Sequence, residues 1–461
     1  LEDGVAKRIG TIVGLVALVL ALGAAALLRP DRALRTGAGL AAHNLCDAVF
    51  TQGLNPEQTF AELVRPMSGP VGGLIRYRVD RGGRRVDASV LSLFRARAAW
   101  TEGYGCRLIW SPRDMSPLPA PPFPLSPPDG FAPPTVTSPK NPVLTAALES
   151  EFADLPGETP RFVKAVVIVK NGKVAAERYA PGYGVDTPLL SYSVAKSFTN
   201  AVLAVLVLDG RLKVDQPVGA PEWSKPGDPR GALTIDDLLR MQSGLNAPET
   251  GSGFDPASQM LYVEDDMAGY AARHPLKAPP RTVWEYTSAN TLILDRRLGQ
   301  MIGGGAQGFR AFAERELFQP LHMDGVTLEF DGTGVFSGSA HVYAPARAYA
   351  RFGQLYLNDG VAPDGRRLLP EGWVGYSRRS TLGAPYGAGF WTLDGPSRLA
   401  AALVRQGFPK DGFYASGNRG QRIYIVPSEH LVMVRNGYTG GRDQGIHEDM
   451  KLLKTAITVL K

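Results

Sequence analysis

Apolar residues follow several different patterns along this chain, and each change of pattern marks a change of organisation. From Ile9 to Leu28 (IGTIVGLVALVLALGAAALL) twenty consecutive residues carry no charge, which at 1.5 Å per helical residue matches the hydrocarbon thickness of a bilayer. The run predicts one transmembrane helix in an N-terminal membrane anchor over 1–35. A cleavable signal peptide is the alternative, but the run exceeds a typical h-region, and Arg29, Pro30 and Arg32 stand where a small-residue cleavage site belongs. Residues 36–110 then read as a small mixed module. A helix is expected around Pro56–Val64, followed by period-two strands in LIRYRVD and RRVDASVLSL across an Arg81–Gly83 turn. This stretch carries no catalytic signal. Prolines dominate 111–142, which forbids regular helix or sheet and predicts an extended linker.

From Val143 onward the pattern is that of a larger domain. A helix (VLTAALESEFADL) precedes AVVIVK and KVAAERYA, joined by Asn171-Gly172, a strong hairpin signal. A second hairpin is expected from RIYIVP and LVMVRNG around Ser428–His430, followed by a C-terminal helix. The middle is helix-rich, with TIDDLLRMQSG, a helix around Met260–Arg273, and NTLILDRRLGQMIGG. Hairpins at both ends with helices between and after them predict an α+β domain over 143–461, an antiparallel sheet flanked by helices.

Composition narrows the possibilities. With 44% hydrophobic and 20% charged residues the chain is not disordered over most of its length. The net charge of +6 is spread among acidic residues rather than blocked, which argues against a nucleic-acid partner. The two cysteines, Cys46 and Cys106, both fall in the small module, and a disulfide is the economical reading, with two separate buried thiols as the alternative. A bridge implies an oxidising compartment such as a periplasm. It thereby fixes an orientation that Lys7 and Arg8 on one side of the apolar run, against Arg29, Arg32 and Arg35 on the other, leave open. The expectation is a single-pass bacterial inner-membrane protein with its main body in the periplasm.

The candidate chemistry begins at Ser193-Val194-Ala195-Lys196, an SxxK at the start of a long apolar helix. Residues three apart share a helix face, so hydroxyl and ammonium meet, and the helix N-terminus favours negative charge developing there. A plain N-cap serine beside a solvated lysine is the bland alternative. Downstream stand TVWEYTSANTLILDRRLGQMIGG and FYASGNRGQRIYIVPSEHLVMV, with LLRMQSGL, ARFGQLYLNDG and YGAGFW between or before them. Together these phrases resemble the serine β-lactamase and penicillin-binding-protein superfamily, in particular class C β-lactamase-like esterases and 6-aminohexanoate-oligomer hydrolases, over most of 160–460.

The resemblance implies a β-lactamase/transpeptidase-like fold with a helical subdomain. It also implies a serine hydrolase that forms an acyl-Ser193 intermediate, with Lys196 and Tyr286 managing the proton. The oxyanion hole is expected at the amides of Ser193 and Asn418, and substrate contacts at Ser288, Ser416, Gly417, Arg419 and Trp391. A nearby ammonium is expected to lower the pKa of the Tyr286 phenol. Two departures from the family pattern bear on specificity. Ser288 replaces an amide side chain, and Ala415 stands where relatives carry the cation that meets a substrate carboxylate. Arg419 and Arg422 are the candidates to replace that cation, and a lysine restored at 415 is expected to favour carboxylated substrates. The expected substrate is therefore a small neutral ester or linear amide. β-Lactamase or D-alanyl-D-alanine carboxypeptidase activity is the alternative, and a penicillin-recognising scaffold without turnover the non-enzymatic one.

No cofactor is expected. His43, His274, His322, His341, His430 and His447 occur singly, without metal-ligand spacing, so no metal is expected either. No GxSxG elbow is present, and GGG at 303–305 and the glycines of 437–445 read as turns.

Overall fold

Six antiparallel strands support the larger part of the molecule in a computed structural model that describes residues 29–110, 131, 135–154, 159–441 and 443–461. The apolar run Ile9–Leu28 and most of the proline-rich stretch lie outside the described residues. Among those described, no helix is long and apolar enough to cross a membrane.

A first, four-stranded sheet belongs to the N-terminal module: β1 (Ile75–Asp80), β2 (Arg85–Val90), β3 (Phe94–Thr101) and β4 (Gly105–Leu108), in sequential order. The first two strands and their turn match the sequence expectation; β3 and β4 do not appear in it, because arginines interrupt the apolar alternation of FRARAAWT. The helix Pro30–Cys46 packs across this sheet and starts inside the segment expected to be anchor, so the boundary at 35 falls within one continuous helix. Cys46, the last residue of that helix, is bonded to Cys106 in β4.

The main sheet contains β5 (Val163–Lys170), β6 (Lys173–Tyr179), β7 (Trp391–Thr392), β8 (Phe413–Gly417), β9 (Gln421–Val426) and β10 (Leu431–Gly437), in the order β7-β8-β9-β10-β5-β6. Both predicted hairpins are present. Asn171 (φ 49°) and Gly172 (φ 78°) have the left-handed backbone that a two-residue hairpin turn needs. β9 and β10 are buried along their whole length because helices cover both faces. On one face lies Ala346–Leu357, where Gly353 lets the helix approach so closely that a Cβ there would meet Val432 at 2.7 Å. On the other lie Pro142–Phe152 and Ile446–Val459. Arg435 of β10 ties these two helices to the sheet, fully buried 3.6 Å from Glu151 and 3.5 Å from Asp449.

The described part of the proline-rich stretch runs beside the edge strand β6. The carbonyl of Phe131 accepts from the Val174 amide, and Thr137 exchanges hydrogen bonds with Glu177. The single helix expected around Met260–Arg273 is two, Pro256–Val263 and Met267–Ala272. The break falls where Asp266 caps the second helix by accepting from the Gly269 amide.

Candidate active site

Ser193 occupies a one-turn 3-10 segment, Tyr192–Val194, that leads into the helix Ala195–Leu208. Lys196, one turn on, is only 2% exposed, and its Nζ makes three contacts: Ser193 Oγ at 3.0 Å, Ser288 Oγ at 2.9 Å and the Ser339 carbonyl at 3.0 Å. The ammonium thus has a partner for each of its protons, one of them the nucleophile candidate. A solvated lysine beside an N-cap serine does not describe this geometry, and Ser193 makes no capping bond. Ser288 opens the helix Ser288–Ile302, and its amide donates to Glu249 at 2.6 Å.

Tyr286 completes the group. Its ring centroid lies 4.8 Å from Lys196 Nζ, and its hydroxyl interacts with the Ser193 side chain. Burial pushes the phenol well above its ordinary range, with Tyr386 and Glu249 acting the same way. This corrects the expectation that the phenol is lowered: desolvation dominates, and the opposing influence is the contact with Ser193. Burial acts oppositely on Lys196, lowering the ammonium from its usual value against the opposing fields of Glu249 and Asp295. The two groups are therefore separated electrostatically, a lysine that loses its proton more readily than usual beside a phenol that keeps its own.

β8 passes directly in front of the serine. Gly417, its last residue, has no room for a side chain, since a Cβ would fall 2.2 Å from the Ser191 carbonyl and 3.0 Å from the Ser193 amide nitrogen. The chain then turns through Asn418 and Arg419, whose φ of 60° carries it back toward β9. Ala415, one turn of the pleat earlier, is 1% exposed and faces Ile423 within the main core.

A cleft of about 350 Å³ opens over Ser193 and includes Ser288, Asn418 and Arg419 on its walls. Arg419 has no carboxylate within ion-pair distance among the described residues, and burial lowers its guanidinium from the usual value. Arg422, the other candidate, is buried with Nη1 donating to the carbonyls of Gly417 and Gln421, so it serves the sheet and not the cleft. Ser416 and Gly417 lie on the strand beside the cleft. Trp391 does not line it; the indole packs behind Tyr286 at 5.6 Å between ring centroids, in an aromatic group with Trp284 and Tyr386.

Several contributors were not visible in the sequence. Glu249 follows the LLRMQSGL phrase on a polar loop with no periodic signal. The glycines of 437–445, read as turns, include part of the cleft wall at Thr439–Gly441. The N-terminal module supplies Thr36, Leu40 and Met67 to the same cleft, although nothing in 36–110 suggested a role in the site.

The histidines are also less isolated than their spacing suggests. His43 and His341 lie with ring centroids 4.3 Å apart and planes tilted by 37°, and with Glu329 they form a fully buried group whose ligand atoms lie within 4.8 Å of one another. His43 Nε2 is 2.9 Å from Glu329 Oε2. That contact is closer than the roughly 3.3 Å that two ligands of a tetrahedral zinc adopt at normal bond lengths. Glu329 also accepts from the Cys106 amide at 2.6 Å, so the group reads as a polar joint between module and body.

Comparison with known proteins gives a consistent picture. The family model described as Beta-lactamase matches residues 152–444. A 6-aminohexanoate-dimer hydrolase from Paenarthrobacter ureafaciens is 28% identical over 296 residues, covering 59% of this chain and 71% of that protein. Penicillin-binding protein 4 from Amycolatopsis lactamdurans is 26% identical over 294 residues, covering 55% and 73% respectively. The fold is shared with the solved structure of a Bacillus anthracis protein taken to be a 6-aminohexanoate-dimer hydrolase. The TM-score is 0.56 at 20% identity, over 71% of this chain and 88% of the other.

Proposed function

Because the chain belongs to the β-lactamase family of serine hydrolases, we propose that it cleaves a small linear amide or ester by way of an acyl-Ser193 intermediate. The observation that carries this reading is the 3.0 Å contact between Ser193 Oγ and a buried Lys196 whose proton is held less tightly than usual. In the neutral form Lys196 takes the Ser193 proton as Oγ attacks the substrate carbonyl, and Tyr286, still protonated, donates toward the leaving group. The amides of Ser193 and Asn418 face the position of the developing oxyanion in this reading, and Gly417 permits their close approach. Lys196 then passes the proton it took to Tyr286, which replaces the one given to the leaving group and restores the neutral amine. A water deprotonated by Lys196 attacks the acyl carbonyl, and that proton returns to Ser193 Oγ as the acid leaves.

A linear substrate is favoured by the resemblance to the 6-aminohexanoate-dimer hydrolase and by the absence of a cation at residue 415. A second reading, hydrolysis of a carboxylated substrate such as a β-lactam or peptide terminus, is favoured by one observation, Arg419 on the cleft wall, which has no carboxylate within ion-pair distance among the described residues. The Cys46–Cys106 bridge supports a periplasmic location, and in this reading Ile9–Leu28 tethers the enzyme to the inner membrane.

A serine-directed fluorophosphonate tests the proposal. It is expected to label the protein at Ser193, and Ser193→Ala to abolish both labelling and ester hydrolysis. Labelling that persists at another serine rejects the mechanism.

A further inference from the structure

We infer that the N-terminal module is part of the substrate site, its apolar wall selecting substrates by the length of an aliphatic chain remote from the scissile bond; the inference rests on Ser193 being the nucleophile. The helix Pro30–Cys46 and the segment Met67–Val71 face Ser193 across the cleft. Leu40, Met67 and Val71 give that wall a hydrocarbon and thioether surface, and an unbranched thioether adapts readily to a flexible chain. The opposite walls are polar, made by Glu249–Gly253 and by Asn418 and Arg419. The apolar surface an alkyl chain can follow is begun by the module and continued by Ala257 and Leu261 of the helix packed against it.

The wall is held in a fixed position. Gly39 brings the helix so close to Pro256–Val263 that a Cβ would fall 2.1 Å from the Tyr262 carbonyl. Gln52 Nε2 donates to the Pro188 carbonyl at 2.9 Å, Lys164 Nζ meets Glu62 at 2.5 Å, and His43 meets Glu329. The module also reaches the nucleophile through Tyr192. This residue precedes Ser193, is 4% exposed and has φ 43°, a left-handed conformation costly for a bulky side chain. Its hydroxyl lies 3.1 Å from Met67 Sδ and 3.4 Å from Asn44 Oδ1, both in the module. Wall and nucleophile turn are therefore supported by the same contacts.

Each methylene seated on such a surface contributes about fourfold in selectivity. The test compares labelling rates of ethyl and decyl fluorophosphonates on the full chain and on Leu40→Trp and Val71→Trp, with thermal unfolding as the check of folding. Val71 lies in a half-exposed turn, so a bulky residue is tolerated there even if Leu40→Trp unfolds. The expected result is a decyl-to-ethyl rate ratio lowered at least tenfold by the indole, with the ethyl rate changed less than threefold. An unchanged ratio, or equal slowing of both probes, overturns the inference while leaving Ser193 as nucleophile. Failure of the unmodified protein to label at all rejects the premise, and the inference with it.

Discussion

Gly417 faces the carbonyl of Ser191 at a separation that leaves no room for a methyl group: a Cβ built on the glycine lies 2.2 Å from that oxygen. The two nearest atoms, the Ser191 oxygen and the Ser193 amide nitrogen, are backbone, and the third, Gln421 Cβ at 3.1 Å, is fixed to its own backbone, so no side chain can swing away to relieve the clash. Gly417→Ala is therefore expected to push β8 from the Tyr192–Val194 turn that carries Ser193. Overpacking of this kind costs about 1–3 kcal/mol of stability. A displacement near 1 Å between reacting groups costs on the order of a hundredfold in rate. Denaturant unfolding and ester hydrolysis measured on the same sample check both, and full activity in the alanine variant rejects the placement of β8.

The opposite shifts of Lys196 and Tyr286 make the pH profile informative. Lys196 has its pKa lowered from 10.5, so its base form accumulates as pH rises through a midpoint below that value, and kcat/KM should rise with it. Tyr286 is raised above 10.0 and stays protonated across the same range. Glu249 favours the lysine ammonium, so Glu249→Gln should move the ascending limb to lower pH. A limb that moves to higher pH assigns the base elsewhere.

Much of the fold was legible because the two hairpins and the Ser193 helix obey local rules: Asn-Gly for the first turn, and alternating or continuous apolar runs. The meeting of Ser193 and Lys196 was legible in the SxxK spacing, and that of Tyr286 and Ser288 with them in the resemblance to the β-lactamase superfamily. What escaped was decided by tertiary contact. Glu249 becomes part of the site only because its loop folds under the Ser288 amide, and His43 meets His341 only when the N-terminal helix docks. The direction of the Tyr286 shift was misjudged because a nearby charge can be inferred from sequence, whereas the depth of burial cannot.

The Cys46–Cys106 bridge closes a loop with a sequence separation of 60 residues. On the chain-entropy account such a closure stabilises the folded state by about 4 kcal/mol. Cys106→Ser should therefore lower unfolding stability by roughly that amount, read by denaturant titration against the unmodified protein. Because the bridge holds the helix that walls the cleft, labelling by long-chain fluorophosphonates should become slower than labelling by short ones. Equal stability with and without the bridge would show that the His43–Glu329 contact and the surrounding packing hold the module unaided.

Specificity toward anionic substrates depends on residues 415 and 419. The sequence suggested that a lysine at 415 restores recognition of a carboxylate, but Ala415 is 1% exposed and packed within the apolar core opposite Ile423. An ammonium placed there loses its water, at a penalty of several kcal/mol per buried ion, and so Ala415→Lys should lower stability with little gain in activity. Arg419 is the better placed cation, on the cleft wall and without a carboxylate partner among the described residues. A charge-assisted hydrogen bond contributes about 1.5–3 kcal/mol, which is roughly a tenfold to hundredfold effect on rate. Arg419→Gln should reduce kcat/KM for a carboxylated amide or β-lactam by that factor and for its neutral ester or methyl ester analogue by much less. Parallel kinetics on the charged and neutral members of one substrate pair measure the difference directly. If the two fall together, Arg419 only shapes the turn after Gly417; if the charged substrate alone falls, the carboxylate is met from the 418–420 turn instead of from the strand.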